Sequence, residues 1–371
     1  MRGHSRSAAV LDVSPLSFTC ALGWPDIQGQ AHLKTALRED HGGLEAGRFA
    51  RRREMGTLVR KLYRKTLAQA GEKAQGLYVS VPNEYTQVYM RVLELPVYGR
   101  IQASDLAELT AMARETPVPP DYRLLSERPI AWQVDREMVY RSPIGREGKL
   151  VKGYYALIYG YNPYCLDLAD IVDEAGAALE GFVSVSEALM RYAAKKLNLL
   201  GTFVLMDSDA LSTYVMAAQR GKLWLMKPFP IGTERLRQDL MQFLPADYEQ
   251  ADRKLRTMRL GPRVGEDSPA ARAVEGRLHE LLIKAGEELE TSGISLSEPI
   301  HLVLSGGGWT GLTGAADLAA RQVKAKISIL TPPPRGASIH SIAMLDQVLS
   351  HERPERSWWD EFKKRIIQSN H

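Results

Sequence analysis

Two stretches of the chain end an apolar run in aspartate and resume it after a serine five residues further on. Residues 8–17 read AAVLDVSPLS, with Asp12 and Ser17, and residues 203–212 read FVLMDSDALS, with Asp207 and Ser212. An aspartate at the end of a buried strand is where a phosphate-cradling loop begins, and such loops carry glycines so that backbone N–H groups can close on an anion. Neither loop contains one. A third stretch, residues 300–315 (IHLVLSGGGWTGLTGA), runs a buried-type strand into Gly306-Gly307-Gly308. Glycines there let the backbone approach a ligand, and a following helix start favours anions; a tight strand-to-helix turn is the plainer use of the same residues.

The elements around these loops must position them. Residues 8–24 read as an apolar strand, a Ser/Pro turn and a second alternating strand, and residues 203–226 read the same way, with Arg220-Gly221 turning the chain into a third strand. Asp12-x-x-x-x-Ser17 overlays Asp207-x-x-x-x-Ser212 about half a chain apart. This repeat predicts two similar α/β halves facing each other across a cleft. Between the loops, residues 77–161 hold short strands such as GLYVSVP and KGYYALIYGY, a helix with its expected N-cap at Ser104, and the break PVPPD at 117–121. Residues 234–293 read as mostly helical; Val274, Leu278, Leu281, Leu282, Ala285 and Leu289 share one stripe, which stops at Gly293.

Composition narrows the classes. The chain has 371 residues, 44% hydrophobic and 25% charged, enough to bury more than one core. With 48 basic and 44 acidic residues its net charge is +4, too balanced for a protein that coats nucleic acid, so no nucleic-acid partner is expected. Cys20 and Cys165 are far apart and outside any metal-ligand spacing, which suits a reducing cytoplasm. No apolar run approaches the roughly 18 residues of a spanning helix. The eight histidines show no metal-ligand spacing and Ser305 has no evident His/Asp partner. Asp12 as an acid and Glu187 or Asp207 as a base are conceivable, but a cap, a surface charge or a magnesium-shell group is the plainer role for each, so no catalytic residue is assigned.

The order of strand-Asp loop, inserted α/β region, second strand-Asp loop, helical region and Gly-Gly-Gly loop resembles the actin/Hsp70/hexokinase ATPase superfamily. Within it the chain most resembles FtsA, the bacterial division protein that ties the FtsZ ring to the membrane. The resemblance rests on PVPPDYRLLSERPIAWQVDREMVYRSPIGREG (117–148), DIVDEAGAALEGFVSVSEALM (170–190), KPFPIGTERLRQDL (227–240) and LVLSGGGWTGLTGAADLA (302–319). It implies an α/β, actin-like two-lobed fold with an FtsA-type inserted subdomain and a C-terminal amphipathic helix. Core subdomains would span 1–82 with 162–200 and 201–233 with 298–350. The insertion would span 83–161, the helical subdomain 234–297, a linker 351–356 and the tail helix 357–371.

The resemblance also carries site and partner expectations. Asp12 and Asp207 would hold a hydrated Mg²⁺, Ser14, Ser17, Asp209 and Ser212 would line the phosphates of ATP, and Gly306, Gly307 and Gly308 with Glu249 and Arg253 would form the adenine side. The family's loops read approximately D-I-G-T/S-S/T-K and D-I-G-G-G-T-T-D; here their glycines are replaced, and Asp209 adds a charge that repels phosphate unless Mg²⁺ intervenes. ATP binding is therefore expected to be weak, altered or absent, and hydrolysis slow at best. In SWWDEFKKRIIQSNH (357–371), Trp358, Trp359, Phe362 and Ile366 fall on one helical face, with Lys363, Lys364 and Arg365 able to meet anionic lipid. The expected protein is a cytoplasmic scaffold on the inner face of the membrane. Its expected partners are copies of itself in a head-to-tail filament, the FtsZ C-terminal tail or an equivalent, and the lipid surface. A scaffold similar to the PilM proteins of pilus and secretion machines is the alternative.

Overall fold

The computed structural model describes residues 7–26, 29–42, 44–45, 48–49, 51–73, 76–261, 269–294, 300–332 and 336–350. The linker and tail expected at 351–371 lie outside the described residues. The chain divides into two compact units, one of residues 1–192 with 332–371 and the other of residues 193–331.

The first unit opens with a meander, β1 (Ala8–Val13), β2 (Ser17–Pro25) and β3 (Ala31–Asp40), followed by the short pair β4 (Leu44–Glu45) and β5 (Arg48–Phe49). Helix α1 (Arg52–Ala70) leads into β6 (Leu77–Val81), which pairs parallel to β1. Strand β1 is almost continuously apolar because it is buried on both faces. On one face Ala9, Leu11, Val13, Phe18, Cys20 and Leu22 pack with Met55, Val59 and Leu62 of α1. Asp12 lies on the other face, since neighbouring strand residues alternate sides.

The insertion follows as β7 (Thr86–Arg100), α2 (Ala103–Arg114), β8 (Tyr122–Val134), β9 (Glu137–Val139) and β10 (Glu147–Tyr161), paired in the order β7-β10-β8-β9. Helix α2 closes one face of this sheet over Leu109, Trp132, Tyr155 and Leu157. It begins two residues before the expected start: Asp105 accepts from the Gln102 N–H at 2.7 Å, and that reach-back makes Gln102 rather than Ser104 the N-cap. The chain then returns through α3 (Asn162–Glu174), β11 (Leu179–Ser184) and α4 (Val185–Leu197), with β11 parallel to β6.

The second unit repeats the first. Strands β12 (Thr202–Ser208), β13 (Thr213–Gln219) and β14 (Lys222–Phe229) form a meander, turning at Arg220 and Gly221, both with positive φ as a primed hairpin turn requires. Helices α5 (Thr233–Phe243), α6 (Tyr248–Thr257) and α7 (Pro269–Thr291) precede β15 (Ile300–Ser305), the single turn α8 (Gly307–Thr310), α9 (Ala315–Gln322) and β16 (Ala325–Ile329). The sheet orders are β3-β2-β1-β6-β11 and β14-β13-β12-β15-β16, each an antiparallel meander extended by two parallel strands. The α7 stripe of Val274, Leu278, Leu281, Leu282, Ala285 and Leu289 is buried as its period predicts. Gly293 ends that helix at φ 81°, while the Ile294 N–H bonds back to the Leu289 carbonyl at 2.8 Å. Last, α10 (Ile339–Leu349) returns to the first unit and packs on β1 and β2 from the Asp12 side, where Leu345 fills the space left by Gly23.

Candidate functional site: two strand-end loops and a glycine turn

The duplication holds to the residue in the loops. In the first, the Ser14 N–H bonds to the Ser17 carbonyl at 2.9 Å; in the second, the Asp209 N–H bonds to the Ser212 carbonyl at 2.9 Å. Asp12 and Asp207 stand two residues before these closures, each inside its strand and buried.

What matters for an anion is how many N–H groups remain to meet it. In the first loop the Val13 N–H donates to Ser80 Oγ at 2.7 Å, the Ser14 N–H is spent on the closure, Pro15 has none, and the Ser17 N–H donates to Ser14 Oγ at 3.1 Å. Only the Leu16 N–H has no partner among the described residues. The hydroxyls of Ser14 and Ser17 lie 2.9 Å apart and satisfy each other. His41 braces the loop from behind. Its N–H donates to the Leu16 carbonyl at 2.8 Å, its Nε2 reaches the Ser14 carbonyl at 3.1 Å, and its ring lies 4.3 Å from that of Phe18. Burial holds the imidazole below its ordinary pKa, so it serves as a neutral donor. The Asp12 carboxylate is half engaged: its Oδ2 accepts from Ser338 Oγ at 2.6 Å while its buried Oδ1 has no hydrogen-bond partner among the described residues, and Ser338 is the N-cap of α10, accepting from the Ser341 N–H at 2.9 Å. The helix start thus supplies the positive potential that offsets this buried charge.

The second loop is used differently, through its carbonyls. The carbonyls of Asp209 and Ala210 accept the Thr233 and Glu234 N–H groups at 3.0 and 2.8 Å, so the loop backbone caps α5. Gly232 permits this approach; a Cβ there would lie 2.5 Å from the Ala210 carbonyl oxygen. Thr213 Oγ1 donates to the Ile231 carbonyl at 2.6 Å and lies 2.9 Å from Ser208 Oγ. The glycine turn presses on the same segment. Gly306 has φ 83°, and a Cβ on it would come within 2.8 Å of the Ser208 backbone nitrogen and carbonyl carbon; a Cβ on Gly308 would lie 2.7 Å from Ser208 Cβ. Only Gly307 faces open space. Two of the three glycines are therefore needed for packing against a neighbouring strand end.

The structure brings Asp207, Asp209, Ser212 and Gly306–Gly308 together in the second unit, with Asp207 beside Ser305 in the β12–β15 ladder. It places Asp12, Ser14 and Ser17 together in the first unit. Glu249 and Arg253 are exposed on α6 and make no hydrogen bond to the glycine turn among the described residues. The link between α6 and that turn runs through the next segment, where the Leu260 N–H meets the Thr313 carbonyl at 2.8 Å. The first loop as built does not fit a triphosphate cradle. A phosphate cradle needs several convergent free N–H groups, whereas the first loop retains one and the second spends its Asp209 N–H on the Ser212 carbonyl.

Glu187 is no base. It is buried, with Oε2 accepting from Ser126 Oγ at 2.8 Å and Oε1 from Arg128 Nε at 2.8 Å, and so fastens β8 of the insertion to α4. Sequence reasoning missed this clamp and also Ser338, Ser80 and His41, whose partners lie 27 to 326 residues away. For Ser338 a signal existed, a serine just before an apolar helical run, but it announces a cap and not the aspartate the cap also holds.

No family model matches the chain, and no curated protein matches it. Solved structures do. A PilM–PilN type IV pilus biogenesis complex aligns at 16% identity and TM-score 0.64, covering 92% of this chain and 97% of that one. The ethanolamine utilization protein EutJ from Carboxydothermus hydrogenoformans aligns at 12% identity and TM-score 0.54 over 91% and 89%. MreB 5 of Spiroplasma citri, bound to AMPPNP, aligns at 8% identity and TM-score 0.50 over the whole of both chains. The chain has the actin-like ATPase fold.

Proposed function

We propose that this chain is a non-hydrolysing actin-fold scaffold of a membrane-associated assembly. The observation that carries this reading is the use of both strand-end loops as structural joints: one closes on its own serines and His41, the other caps α5. Catalysis of phosphoryl transfer rests on positioned donors and a metal, and the first loop spends all but one of its N–H donors on the fold while the second gives two carbonyls to α5. No helix among the described residues is long and apolar enough to cross a membrane. Lipid contact would fall to the sequence 357–371, where Trp358, Trp359, Phe362 and Ile366 supply the apolar face and Lys363, Lys364 and Arg365 the charge.

Two finer readings divide on the partner. Likeness to the PilM–PilN complex along nearly all of both chains supports a PilM-like subunit that takes a PilN-like partner. The tryptophan-bearing tail supports an FtsA-like tether of the FtsZ ring that assembles head to tail. Co-sedimentation with phosphatidylcholine–phosphatidylglycerol vesicles tests the shared claim. The full chain should sediment, and Trp358→Glu with Trp359→Glu should abolish it; sedimentation untouched by that pair removes the tail from the account. Binding of an FtsZ C-terminal peptide to the full chain decides between the readings.

A further inference from the structure

Helix α1 carries charges that its own fold does not favour. Arg51, Arg52 and Arg53 crowd its N-terminal turn, where Glu54 is the one acidic residue of the helix itself, against the positive end of the helix macrodipole; Arg52 is offset from α3 by Asp167 and Asp170. Further along, Arg60 with Arg64 and Lys61 with Lys65 are like charges one turn apart, and each such pair is mildly destabilising. Yet the helix has no basic residue in its last turn, where cations would help it.

The buried side of α1 is formed by Met55, Gly56, Val59, Leu62, Thr66 and Ala70. At 3.6 residues per turn the opposite side is formed by Arg53, Thr57, Lys61, Arg64 and Ala68, all exposed. Acids along the flanks are already taken: Glu54 by Arg51, Asp170 by Arg52 and Glu39 by Lys65, while Arg60 meets the Glu174 carbonyl. Arg53, Lys61 and Arg64 have no acidic partner among the described residues. They form a straight cationic row about 16 Å long, separated by one threonine hydroxyl and small side chains. Tyr63, the sole aromatic residue of α1, is half-buried and off this row. The row itself therefore offers no ring on which a nucleobase could stack and no apolar side chain larger than Ala68 to anchor a peptide. A flat, diffuse anionic surface is the partner that such a row fits.

We infer that the outer face of α1 is a second, purely electrostatic contact with anionic phospholipid headgroups. This rests on the reading that the chain works at a membrane, but on a different part of it from the tail. The row would add attraction and fix orientation without inserting any side chain, and it would weaken with salt because exposed charges are screened.

The test uses the full chain and vesicles of phosphatidylcholine alone or mixed with phosphatidylglycerol. Arg53→Glu, Lys61→Glu and Arg64→Glu together should weaken partitioning onto the mixed vesicles by at least about tenfold at low salt. Binding to phosphatidylcholine should be unchanged, and the urea midpoint unchanged or raised, since the substitutions relieve like-charge pairs. The milder Arg53→Gln, Lys61→Gln, Arg64→Gln chain should show a smaller loss of the same sign. Undiminished vesicle binding by the reversed chain overturns the inference, as does a loss confined to duplex DNA or polyglutamate. Trp358→Glu with Trp359→Glu, run in parallel, separates the two claims: loss there alone leaves the tail standing without the row, and loss in the α1 variants alone does the opposite.

Discussion

Alanine at Gly306 is expected to destabilise the second unit, with no nucleotide involved. The residue sits at φ 83° and ψ 167°, a region essentially reserved for glycine that costs a side chain of order 1–3 kcal/mol. Its Cβ would also enter the backbone of Ser208, within 2.8 Å of both nitrogen and carbonyl carbon, where nothing can rotate away. Overpacking of that kind costs about 1–3 kcal/mol, so the sum is about 2–6 kcal/mol. Gly307 provides the internal control: its φ is not positive, a Cβ there meets nothing within 4 Å, and it opens the α8 turn. Gly307→Ala should be neutral, or stabilising by up to about 1 kcal/mol through the unfolded chain. Urea unfolding of the two variants beside the parent, in nucleotide-free buffer, reads the difference directly. Equal midpoints for Gly306→Ala and the parent would refute the claim that the glycine turn is a packing joint.

Glu187→Ala should cost the first unit about 2–4 kcal/mol, because it strands Arg128 and Ser126 against an emptied site; a urea midpoint within error of the parent would remove the clamp. Acid should weaken the α5–α6 junction. Although burial raises the Asp252 carboxyl, its hydrogen bond to Arg256 and the charges of Arg256 and Arg237 hold it below the ordinary 3.8. A carboxyl with a depressed folded pKa contributes stability that is present above its unfolded value and lost as pH falls through the folded one. Asp252→Asn should therefore lose less stability than the parent between about pH 5 and pH 3, measured as the shift of the urea midpoint; identical shifts would contradict the assignment.

The fold was legible where side-chain period and local chemistry decide it. The repeated Asp-x-x-x-x-Ser units predicted two equivalent meanders, and the hydrogen bonds closing their turns coincide position for position. The α7 stripe and the Arg220-Gly221 turn are likewise local signals. The function of the loops was less legible. A glycine in a sequence states that a side chain is missing but not what the missing Cβ avoids; at Gly306 and Gly308 it is Ser208, about a hundred residues earlier. Asp12 looks the same on the page whether it faces a hydrated metal or the hydroxyl of Ser338. Substituted glycines in the two loops predict a changed anion site, and the geometry adds the partners that the first loop's N–H groups and the second loop's carbonyls find within the fold. Strand β7 has no clean alternating signal because Pro96 and Gly99 interrupt its pattern; as a sheet edge it tolerates a proline.

Isothermal titration of the full chain with ATP and Mg²⁺ bears most directly on the central claim, that the strand-end loops of this actin-like fold serve the protein as joints and no longer as a phosphate cradle. Saturable binding tighter than about 1 mM, roughly −4 kcal/mol, is not expected. Micromolar binding that depends on Mg²⁺ and disappears in Asp207→Asn would contradict it.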